Sequence, residues 1–125
     1  NKYIRKAAID LLGEIGEPAV PALIHALRHD KSQVRGRAAI ALGKVGPPAK
    51  MAIDPLIDSL QDDQVSSYSA YTLSSIGPAS VPALIRVLDT GSDSAQQQAV
   101  WALKRINTSQ AQEALAHHNV RAISY

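Results

Sequence analysis

The sequence predicts an all-α chain, an α-solenoid of about four stacked two-helix repeats with about eight helices in a right-handed superhelix. Three observations predict it. Placing Ile4, Val34, Val65 and Ala95 in register aligns IRKAAIDLLGEIG, VRGRAAIALGKVG, VSSYSAYTLSSIG and AQQQAVWALKRIN at spacings of 30, 31 and 30 residues. In each copy the first, fifth, eighth or ninth and twelfth residues are apolar or small, the one-sided pattern of an amphipathic helix. With no Phe, one Trp and four Tyr, the core is built from Ala, Leu, Ile and Val, which favours closely packed helices.

The aligned segment is helix A of each repeat. Gly16, Gly46, Gly77 and Asn107 mark its end, since these two residue types most easily adopt the left-handed conformation that closes a helix, Asn standing in for Gly. Pro18, Pro48 and Pro78 follow, where a fixed φ and a missing N–H suit the start of a second helix. In helix B, Val20, Leu23, Ile24 and Leu27 match Ile53, Leu56, Ile57 and Leu60, and then Val81, Leu84, Ile85 and Leu88, one stripe at i, i+3, i+4, i+7. The second repeat carries three extra residues between Gly46 and Ile53. The fourth B helix, SQAQEALAHHN, has few large apolar residues and reads as a terminal cap or a truncation. A unit of about 30 residues cannot bury its own stripe, so neighbours stack and share a core. The expected organisation is one solenoid domain over 1–125, with repeats at about 1–31, 32–62, 63–92 and 93–125.

Composition narrows the function classes. Thirteen basic against eleven acidic residues give a net charge of +2, well short of the excess of a dedicated nucleic-acid binder. No apolar run approaches the ~20 residues that cross a bilayer. The absence of Cys excludes disulfides and thiolate metal sites and is compatible with a reducing, cytoplasmic compartment. The chain starts at Asn1 with neither Met nor a basic-then-apolar leader, so it reads as a processed chain or an excerpt that further repeats flank. No G-x-S-x-G, P-loop, G-x-G-x-x-G or H-E-x-x-H motif occurs, leaving no motif for catalysis.

The A-A-x-x-L-G-x-[IV]-G ending of helix A in VRGRAAIALGKVG, followed by [VI]-P-x-L-[IV]-x-x-L helices, resembles the HEAT-like repeat of the phycobilisome (bilin) lyase type. The resemblance covers nearly the whole chain. It implies a fold shared by scaffolds, by lyase subunits that cradle a bilin, by a deoxyhypusine hydroxylase with an iron site and by DNA-alkylation glycosylases. The hydroxylase's His-Glu pairs are absent, because none of His25, His29, His117 and His118 precedes a Glu.

Two surfaces are candidate sites. His25, Asp58 and Arg86 occupy one place of helix B, pointing away from the stripe. They form a row on the concave face, bordered by the small Ala22, Pro55 and Ala83. His25 and His29 at i, i+4, opposite Asp58 and Asp62 on the next B helix, make a candidate divalent-metal set; solvated polar residues are the alternative. On helix A the seventh place holds Asp10, Ile40, Tyr71 and Trp101, with Tyr68 one turn before Tyr71. Large apolar residues opposite a buried stripe are either covered by a neighbouring segment or form a partner contact. Arg5, Lys6, Arg35, Arg37 and Lys44 gather on the first two A helices as a solvated face or a phosphate-binding patch.

These features point to a non-enzymatic module that binds another protein through the outer stripe or the concave groove, with no cofactor. The alternatives are a bilin-lyase-like subunit, its groove holding a linear tetrapyrrole near His25 or Arg86, and weak nucleic-acid binding through the basic A helices.

Overall fold

A computed structural model describes residues 2–123, with side-chain surroundings for 2–119. Among the described residues there are eight α-helices and no strand: α1 (Lys2–Ile15), α2 (Val20–Ala26), α3 (Ser32–Val45), α4 (Ile53–Ser59), α5 (Ser66–Ile76), α6 (Val81–Thr90), α7 (Asp93–Ile106) and α8 (Ser109–Ile123). The odd-numbered helices are the A helices, and each packs on the next, α1 on α3, α3 on α5 and α5 on α7. Each of α2, α4 and α6 packs against the following A helix, and α4, α6 and α8 against one another in turn. This neighbour-only packing is that of an α-solenoid.

The register between A helices follows from side-chain size. The eighth place of one helix meets the tenth place of the helix before it, and both are small. A Cβ at Gly13 would lie 3.1 Å from that of Ala41, and one at Gly43 would lie 3.0 Å from Thr72 Oγ1. At this close approach Thr72 Oγ1 donates to the Ala39 carbonyl at 2.6 Å, so the buried hydroxyl also ties α5 to α3. Toward the B helices, Leu42, Leu73 and Leu103 at the ninth place are fully buried with Leu23, Leu56, Leu60 and Leu84. The B stripe is therefore internal, its third members Ile24, Ile57 and Ile85 being partly buried at the core's edge.

Helix α1 departs from the expected pattern. Ile4, Leu11 and Ile15 are exposed, Leu11 to 57%, whereas Ile9 and Gly13 are buried. The physical reason is directional. The first and eighth places face the preceding A helix, as Val65 faces Gly36 and Ala41 faces Gly13, and no described helix lies on that side of α1.

The A-to-B connections also correct the expected equivalence of Gly and Asn. Gly16, Gly46 and Gly77 have φ of 90°, 72° and 92° with ψ near −142°, −141° and −146°, a region open essentially to glycine. Each leads into a 3-10 turn, Glu17–Ala19, Pro47–Ala52 or Pro78–Ser80, before the B helix begins. The second of these turns absorbs the three extra residues. Asn107 instead adopts the true left-handed conformation (φ 57°, ψ 35°), and no such turn follows: Thr108 Oγ1 accepts from Ala111 N at 3.1 Å and caps α8 directly. Substituting Gly46 by Ala, where space is open but φ is positive, is expected to destabilise the fold by about 1–2 kcal/mol; a shift of the urea midpoint measures it. The demand is local: three residues later Ala49 has a φ of −85°.

Candidate functional site

The seventh places of α3, α5 and α7 come into line because the A helices stack in register. Ile40, Tyr71 and Trp101 are all exposed, Tyr71 to 51% and Trp101 to 42%. Arg105, one turn after Trp101, lays its guanidinium 5.2 Å from the Trp101 ring centre and 5.4 Å from that of Tyr71. One cation thus spans both rings and both helices, each contact contributing about 0.5–1 kcal/mol at an exposed site. The shared guanidinium restrains both rings at the surface. Tyr68 lies across Gly36, 3.4 Å from where a Cβ would be. With Ile40 it borders a hollow of about 390 Å³ that also takes in Gln33 and Arg37. Asp10 is half-buried on α1, so the apolar strip begins at α3.

The row on the B helices is looser. His25, Asp58 and Arg86 are exposed. Arg86 stands 4.0 Å from Asp54 with both side chains largely in solvent, a pairing of little energetic weight. Hollows of about 220 and 350 Å³ border Arg86 and Ala83, but neither His25 nor Asp58 lines them.

The candidate metal set of His25, His29, Asp58 and Asp62 does not assemble. Asp62 Oδ2 receives Arg35 Nε at 2.7 Å and Oδ1 accepts from Gln64 N at 3.1 Å, while His29 Nδ1 accepts from Lys31 N at 3.1 Å. Asp62 is engaged by α3 and by its own loop and His29 by its own loop, and among the described residues no group of three or more His, Asp or Glu side chains is placed to share an ion.

The basic cluster is likewise redistributed. Arg35 is turned inward, donating from Nη1 to the carbonyls of His29 and Asp30 at 2.9 and 2.8 Å as well as pairing with Asp62. Lys44 sits in the last turn of α3. Arg5, Lys6 and Arg37 remain together and are joined by Lys2 and Lys31 around a hollow between α1 and α3. Arg105, Lys2 and Lys31 are the residues that sequence reasoning missed. Arg105 had a signal, an Arg at i+4 from Trp101; Lys31 lies outside both helices' periodic patterns and had none.

No helix among the described residues is long and apolar enough to cross a membrane. No curated protein matches the chain. A family model of HEAT repeats matches residues 1–77, the stretch that contains the first two units and helix α5 of the third. With more than half of the 125 residues matched and neighbour-only stacking of paired helices through the described chain, the protein belongs to the HEAT-repeat family.

Proposed function

We propose that the chain is a non-enzymatic binding module that recognises another protein through the outer face of its A helices, with Tyr71, Trp101 and Ile40 as anchors. The observation that carries this reading is the Tyr71–Arg105–Trp101 arrangement. Two aromatic rings and an Arg, the residue types most enriched at binding hot spots, are fixed in one cluster yet remain about half exposed. Aromatic side chains kept solvated in a chain with so few of them form a surface suited to contact. HEAT repeats in general mediate protein–protein interaction, and stacked units suit it because each adds contact area without a deep pocket.

The test places a photo-crosslinking amino acid at position 71 or at position 25 and exposes each protein to lysate. The protein captured at position 71 is then purified and titrated. Changing Tyr71→Ala together with Trp101→Ala is expected to weaken its binding by about tenfold to a hundredfold, the loss of one or two hot-spot anchors. Arg105→Ala is expected to weaken it less, since the rings stay but lose their brace. A partner captured only at position 25, or one whose affinity the double substitution leaves unchanged, overturns the reading in favour of the B-helix row.

A further inference from the structure

We infer that the groove between the amino-terminal halves of α1 and α3 is a second contact site, and that it takes an acidic, carboxylate-rich polypeptide segment. Five cations surround it, Lys2, Arg5 and Lys6 from α1, Lys31 just before α3 and Arg37 within α3, and no carboxylate lines it. Among the described residues none of the five takes part in an ion pair. Neither helix places an acidic residue in its first turn, and α3 has no side-chain cap, so its amino-terminal dipole adds to the positive field. The floor is apolar, with Ile9 and Val34 nearly buried, and Lys2 Nζ lies 5.3 Å from the Tyr3 ring centre at the rim. A volume of about 350 Å³ suits a few side chains rather than a folded domain.

Charge balance decides the occupant. The groove holds five of the thirteen Lys and Arg, which leaves eight against eleven acidic residues elsewhere and a net charge of −3 outside it. A nucleic-acid strand carries charge along its whole length and meets repulsion once it leaves the groove. A short acidic peptide fits within the positive region. Gln33 and Arg37 also line the hollow beside Ile40 and Tyr68, so a segment whose carboxylates occupy the groove reaches an apolar contact on α3 and α5. The inference rests on the function proposed above in one respect, that a polypeptide lies on the A-helix face.

The experiment is fluorescence anisotropy with a labelled peptide of about six residues, long enough when extended to cross two helices, made of Glu and Asp with one Leu near its end. The intact chain is expected to bind it, with affinity falling as salt rises, and not to bind the same peptide with Lys in place of the acids. Lys6→Glu with Arg37→Glu is expected to weaken binding by at least about tenfold through like-charge repulsion. Lys2→Gln with Lys31→Gln, milder changes at the rim, are expected to weaken it several-fold and serve if the first pair disturbs folding as read by circular dichroism. Tyr71→Ala with Trp101→Ala is expected to leave it within about twofold, since the peptide stops short of α7. Absence of binding at low salt, indifference to both sets of groove substitutions, or tighter binding of an oligothymidylate of equal charge overturns the inference. Failure of the peptide while the position-71 partner still depends on Tyr71 and Trp101 sinks the groove alone; the reverse sinks the stripe alone.

Discussion

Replacing Leu73 by Ala is expected to lower the stability of the protein by about 2–5 kcal/mol, the usual cost of deleting a fully buried Leu side chain. Leu73 is completely buried at the ninth place of α5, in the row with Leu42 and Leu103, and its carbonyl accepts from the buried Ser80 hydroxyl at 2.9 Å. The core has no Phe to share the burden, so each Leu supplies a large part of the apolar area at its interface. Position in the array magnifies the effect. Helix α5 contacts both α3 and α7, and in a solenoid whose stability is a sum of unit and neighbour terms a weakened middle unit uncouples the two sides. The urea transition followed by circular dichroism should therefore move to lower concentration and broaden. Leu115→Ala on α8, where the side chain is only partly buried, is expected to cost much less and to leave the steepness unchanged. A loss below about 1 kcal/mol at Leu73, against the range for buried Leu, with an unbroadened transition, would place the cooperative centre elsewhere.

Much of this architecture is legible in the sequence because it repeats. The four copies of helix A, the B stripe and the punctuation by Gly16, Gly46 and Gly77 each depend on residues close together in the chain, and periodicity reports local geometry directly. The misread features depend on what lies next to a helix. Leu11 occupies the same place of the repeat as the buried Ala41, Thr72 and Ala102, yet it is exposed because burial needs a neighbour on that side. Asn107 satisfies the rule for helix ends but occupies a different backbone region from the three glycines, so the turn after it differs. The stripe of Ile40, Tyr71 and Trp101 was visible as one place of the repeat; its brace, Arg105, and the assembly of Lys2 with Lys31 required the distances between stacked helices. The supposed metal set failed for the same reason, because helical spacing gives the direction of Asp62 within its own helix and not the Arg35 that claims it from 27 residues away.

That Arg35 contact carries the second large effect. Arg35→Ala is expected to destabilise the fold by about 2–3 kcal/mol, as hydrogen bonds to or from a charged group contribute roughly 1.5–3 kcal/mol and several are lost together. The guanidinium bridges the His29 and Asp30 carbonyls after α2 to Asp62 in the loop before α5, with only 20% of the Arg35 and 29% of the Asp62 side chain exposed. It thus joins the end of the first repeat to the end of the second. Lys supplies a point charge without the planar fork, so Arg35→Lys is expected to recover less than half of the loss. Asp62→Asn keeps an acceptor for Gln64 N, which binds Oδ1, and removes the charge; it is expected to cost about 1 kcal/mol. A double-mutant cycle between Arg35→Ala and Asp62→Ala should give a coupling of about 1 kcal/mol or more that survives moderate salt, because partly buried pairs are screened less than exposed ones. A coupling near zero would reduce the pair to an ordinary surface contact and leave the two carbonyls as the only reason for Arg35. A large coupling makes Arg35 the strut that sets how the second repeat follows the first, and with it the angle at which α3 presents Arg37 and Ile40.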